Sequence, residues 1–160
     1  MEVAGMAIQV IIGIHIAAGL VAVIAGAVAM FAAKRPGRHP VAGRIYLGGL
    51  AVLVASACVI VVARPHTAFL LLLGAAALML AGIGLAARRI RWRGWLAHHI
   101  IAMPGSYILA LTAFYVDNGP RLPLWRLLPP AWFWFLPAAV GFPLVVWALR
   151  RNTAGRVKAR

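Results

Sequence analysis

Five histidines are the residues of this 160-residue chain best suited to chemistry. Imidazole combines metal ligation with proton exchange near neutral pH. His15 stands in an apolar run, and Gly19, Ala22 and Gly26 follow it at helical spacing, so one helix face carries an imidazole beside small residues. Such a face admits a neighbouring helix or a flat ligand. The plainer reading is that His15 hydrogen-bonds to another helix and only holds a bundle together. His99 heads a second stripe, because Met103, Ser106, Tyr107 and Ala110 return to its side of a helix. Pro104 interrupts that helix and frees a backbone carbonyl for Ser106, Tyr107 or water. A purely structural polar seam is the competing reading. His98 lies about 100° round the helix from His99 and reads as an interfacial residue. His39 lies in Arg38-His39-Pro40, ahead of Gly43-Arg44-Ile45-Tyr46, and His66 follows Arg64-Pro65. Each is either a solvated loop residue or a ligand at the end of a span.

Other chemistries lack their parts. Glu2 and Asp117 are the only acidic residues, and neither falls within an apolar run, so a carboxylate proton relay or cation pathway has no components. Cys58 is the single cysteine, which rules out an intrachain disulfide or a cysteine-framed metal site. No glycine-rich phosphate loop and no nucleophile–base motif is present, and no catalytic residues are assigned. A cleavable signal peptide is not expected, since Glu2 replaces a basic leader and the first apolar run is too long.

The elements that must position the histidines follow from composition. Hydrophobic residues make up 64% of the chain and charged residues 11%. Soluble domains carry about 45–50% and about 25%, so the solvent for this chain is lipid. Five apolar segments, 6–33, 41–62, 67–87, 96–116 and 131–149, approach the roughly 20 residues a transmembrane helix requires. The expected fold is all-α: one polytopic transmembrane helix bundle over residues 1–160, with an interfacial loop at 117–130 where Pro120, Pro123, Pro129 and Pro130 oppose a regular helix. No internal repeat stands out.

The net charge of +14 is distributed by loop. Lys34, Arg35, Arg38 and Arg44 lie around the first loop, Arg88, Arg89, Arg91 and Arg93 around the third, and Arg150, Arg151, Arg156, Lys158 and Arg160 in the tail. Only Arg64, Arg121 and Arg126 fall on the alternate side. The positive-inside rule then predicts an external N-terminus and a cytoplasmic C-terminus, in a bacterial plasma (inner) membrane. Tyr46, Trp92, Trp95 and Trp147 mark the cytoplasmic interface, and Tyr115, Trp125, Trp132 and Trp134 the outer one. Anionic lipid headgroups are the expected partners of the basic loops. Nucleic acid is not, because no basic-aromatic platform lies outside the apolar runs.

His15 with Gly19, the set His39, Gly43, Arg44 and Tyr46, and the set His99, Met103, Ser106 and Tyr107 together resemble the domain-of-unknown-function 2306 family of predicted bacterial membrane proteins. The resemblance covers roughly residues 8–116. It implies a membrane architecture and a candidate polar set without an established activity. Ile100, Ile101 and Ala102 stand where the family often carries basic residues.

Of specific activities, haem-b-linked transmembrane electron transfer is the first expectation, with His15, His39, His66 and His99 as candidate ligands. The topology groups His39 with His99 and His15 with His66, resembling transmembrane ascorbate-type b cytochromes. His15 and His99 are the candidate metal ligands; Met103, Ser106 and Tyr107 would pack beside or hydrogen-bond the bound group. A non-catalytic accessory subunit or assembly factor of a respiratory or photosynthetic membrane complex is the alternative, either in such a complex or as a homo-oligomer. A small-molecule transporter is a third reading.

Overall fold

A computed structural model describes residues 2–34 and 36–157. Arg35, Lys158, Arg160 and the side chain of Arg156, counted above among the basic residues, lie outside the described set. Long α-helices make up most of the described chain, as a lipid environment requires, because each backbone N–H and C=O must be satisfied within the segment. Five stretches are long and apolar enough to cross a membrane: 5–31, 38–63, 65–90, 95–121 and 131–152.

Helix α1 runs over Glu2–Phe31 without a proline. Beyond its end, the Lys34 ammonium donates to the carbonyls of Ala29 (2.9 Å) and Met30 (2.7 Å), which the last turn leaves without helical partners. Helix α2, Arg38–Ala63, starts after Gly37, whose φ of 120° reverses the chain. Pro40 occupies its first turn, where a missing N–H breaks no helical bond. Arg64 and a 3₁₀ turn over Pro65–Thr67 end α2, and α3 follows over Ala68–Ile90. Arg91 (φ 56°) and Gly94 (φ 77°) form a tight turn into α4, Trp95–Asn118, which continues through Pro104. The proline-rich segment forms two 3₁₀ turns, Gly119–Arg121 and Trp125–Leu127. Helix α5 then extends from Ala131 to Val157.

The sequence expectation ended the last span at residue 149. The helix continues to Val157 because hydropathy reports where lipid stops, whereas backbone hydrogen bonding can continue into water. The other helices end within a few residues of the expected spans.

The chain divides into two compact units, Met1–Leu78 and Met79–Arg160, with the boundary inside α3. In the first unit, α1 and α2 form an antiparallel hairpin: residue 15 meets 53 and 56, while residue 29 meets 39. The close approach depends on Gly49, where a Cβ would lie 3.2 Å from the Ala18 carbonyl oxygen and 3.2 Å from Ala22 Cβ. In the second unit, Gly84 of α3 lies against Met103 of α4, Gly141 of α5 against Ile108 of α4, and Gly119 against the Phe133 ring.

Candidate functional site

Three of the five histidines are held in the same chemical way. His15 Nδ1 lies 3.1 Å from the Leu53 carbonyl and 2.9 Å from Ser56 Oγ. A carbonyl can only accept, so the bond to Leu53 places the ring proton on Nδ1. The Ser56 hydroxyl donates to the carbonyl of Val52 (2.8 Å) or Leu53 (2.9 Å), which leaves Oγ to accept from His15. His39 Nδ1 donates to the Ala29 carbonyl at 2.8 Å, and His99 Nδ1 to the Gly84 carbonyl at 2.9 Å. In all three rings the proton on Nδ1 makes Nε2 the Lewis-basic nitrogen. A backbone carbonyl on the far nitrogen is the usual way in which a metal-ligating imidazole is oriented.

Their surroundings differ. Gly19, one turn beyond His15, faces Leu53 Cδ1, which a Cβ there would approach to 3.2 Å. The His15 face is therefore filled by α2. Gly43, one turn beyond His39, has no atom within 4 Å of the Cβ position, so the helix surface beside His39 is open. His39 is half-buried and belongs to α2, in contrast to a solvated loop residue. His99 and Met103 both address Gly84: the glycine carbonyl accepts from one, and the missing side chain makes room for the other. The structure brings these two stripe residues together as expected from their spacing. Ser106 is 0% exposed and Tyr107 is half-buried. No buried side-chain polar atom among the described residues is left without a hydrogen-bond partner.

His66 is exposed in the 3₁₀ turn after α2. Ser56, which marks the level of His15, precedes the α2 terminus by about 10 Å of helix, so His66 and His15 stand at different depths. His98 is exposed, packed edge-on against Trp92 at 5.7 Å between ring centroids. Its Nδ1 lies 3.0 Å from the Gly94 carbonyl and 3.3 Å from Trp92 Nε1. The first contact needs a proton on Nδ1 and the second a lone pair, so only one is a hydrogen bond at a time. No group of three or more His, Cys, Asp or Glu among the described residues could hold a metal ion. Cys58 is exposed and free.

A local repeat emerges that the sequence did not disclose. His39 and His99 each lie near the start of a helix that follows a basic turn, and each donates to a carbonyl of the preceding helix. Three residues on, Ala42 (6%) and Ala102 (4%) are buried; seven residues on, the hydroxyl-bearing Tyr46 (2%) and Ser106 (0%) are buried. Only the last pair differs in residue type, Tyr46 against Ser106, and the pattern is hidden in the sequence because burial and the carbonyl partners are not written there. Ser56, Gly84 and Ala29 were also missed. Ser56 lacked a spacing cue, and the other two act through backbone carbonyls, which any residue possesses.

A family model described as predicted membrane protein (DUF2306) matches residues 12–130, about three quarters of the chain. The chain belongs to this family. The DUF2306 match spans α1 to α4 and the proline-rich turns, and so includes every candidate residue above. No curated protein and no solved structure matches the chain. Within the DUF2306 assignment, the protein is a membrane protein in contact with the lipid bilayer.

Proposed function

We propose that this DUF2306 protein carries electrons in the membrane by means of haem b, for which His39 in the first unit and His99 in the second would each offer a ligand. The observation that supports this reading is the Nδ1–carbonyl anchor on each ring, which presents Nε2 as the ligating nitrogen. The donor chemistry fits the group, and the open helix surface at Gly43 gives a macrocycle room beside His39. Arg38 and Arg44 flank His39 in sequence and are exposed, available to carboxylates such as haem propionates. When bound, haem supplies one-electron redox chemistry at its iron. The polypeptide's part is to fix the tautomer and orientation of each imidazole and to keep water away through its apolar helices. Haem would need only one or two imidazoles from the chain, so a larger cluster of ligands is not required.

The test is the absorption spectrum of detergent-purified protein from haem-sufficient cells. A Soret band and a reduced α-band are expected. His39→Ala and His99→Ala should each remove most of the pigment while circular dichroism remains helical; His15→Ala should keep it. A colourless wild-type preparation ends the proposal.

A second reading, an accessory subunit of a larger membrane complex, is favoured by the open face of the α1–α2 hairpin. Ala17, Ala18, Gly48 and Gly49 form a shallow groove there between Ile14, Val21 and Val52. Helices in lipid associate through such small residues. Co-purification with a defined complex in mild detergent is its test.

A further inference from the structure

We propose that the turn Arg88–Trp95 is a binding site for the phosphate headgroup of an anionic phospholipid. This site does not depend on haem. Arg88, Arg89, Arg91 and Arg93 fall within six residues, and all four are exposed. Carboxylates are too few in the sequence to neutralise the basic residues. The sequence has two acidic residues against 16 Lys and Arg, and Asp117 lies about 33 Å further along α4. No acidic residue stands in the first turn of α4.

The turn has a definite shape. Arg91 adopts a left-handed φ of 56° and Gly94 one of 77°, which brings the chain from α3 into α4 within four residues. The Arg91 guanidinium carbon sits 5.8 Å from the centroid of the Trp95 ring. Stacked over an indole, a guanidinium keeps its N–H edge available, and that planar fork matches a phosphate in two-point contact. Trp92 is packed on His98, so both indoles of the turn are placed among basic groups. Indoles favour headgroup depth, where the charged partner of a guanidinium is a lipid phosphate. The first basic turn differs, because Lys34 directs its ammonium to the Ala29 and Met30 carbonyls.

The experiment compares wild type with Arg91→Gln/Arg93→Gln and with Arg150→Gln/Arg151→Gln, which removes equal charge from α5. Arg88→Gln/Arg89→Gln, exposed on the last turn of α3, provides a second variant that leaves the turn backbone alone. Each protein is titrated with phosphatidylglycerol in phosphatidylcholine–detergent micelles. Retained lipid is read by native mass spectrometry, and the thermal midpoint is recorded. Wild type should retain phosphatidylglycerol and melt higher with it. Each turn double variant should weaken retention, on the order of twenty-fold, with a smaller effect from the α5 pair. Arg151 also stacks over an indole, 5.3 Å from the Trp147 centroid, so equal losses in the turn and α5 variants would mean that the shape of the turn adds nothing and would overturn the site. So would equal retention of phosphatidylcholine, or the same stabilisation by inorganic phosphate without lipid.

Discussion

His15, His39 and His99 share a tautomer but not a task, and the difference lies in what stands beside each ring. The partners of His15 are on α2, and its neighbouring glycine is covered by Leu53. That arrangement is a clasp between two helices. Polar clasps between transmembrane helices contribute about 0.6 kcal/mol on average and up to about 1.7 kcal/mol. A double-mutant cycle of His15→Ala and Ser56→Ala, read by reversible unfolding in mixed micelles, should give a coupling energy in that range. A coupling of zero would remove the clasp. The sequence offered both readings of His15, clasp or ligand, because spacing places a residue on a face without saying what covers that face. For His39, set among arginines and followed by Pro40, the sequence offered a solvated loop residue or a ligand at the end of a span. In the structure the proline sits in the first turn of α2, where its ring is tolerated, and the imidazole is anchored to α1.

The helices pack through glycines that fail in different ways. At Gly84 the obstacles to a Cβ are Met103 Cγ at 2.8 Å and Sδ at 2.9 Å, both in a flexible side chain, with Met103 N at 3.3 Å. At Gly49 they include the backbone oxygen of Ala18 and the backbone nitrogen of Ala22. Gly84→Ala should therefore cost roughly 1–3 kcal/mol, and much of that loss should return when Met103→Ala is added. Gly49→Ala should cost a similar amount and find no such rescue from Ala22→Gly. Thermal midpoints of the four variants check both statements. The five spans were legible because a run of about 20 apolar residues has few alternatives. The α4 stripe was legible because 3.6 residues per turn bring 99, 103 and 106 together. Its counterpart on α3 was not, since a sequence carries no mark of which helix faces which. Proline correctly announced the break after α4 but not the two 3₁₀ turns that fill it.

At the scale of the molecule, charge and lipid act together. Five helices are long and apolar enough to cross a membrane, and if each crosses once the basic turns at 34–38 and 88–93 are expected on the same side as the end of α5. The positive-inside rule predicts that this side is cytoplasmic. A fluorescent-protein fusion should light up at the C-terminus and stay dark at the N-terminus, and an export-dependent phosphatase fusion should give the reverse. Both ends reporting the same compartment would remove the five-crossing layout. Burial lowers the Lys34 pKa from its ordinary value, so this ammonium sheds its proton at a lower pH than a fully solvated lysine. The 30 residues of α1 amount to about 45 Å of helix, against a hydrocarbon layer about 30 Å thick. The surplus must lean within the bilayer or stand clear of it. Longer acyl chains would ease that mismatch, and sterol-thickened membranes would suit this helix better than thin ones.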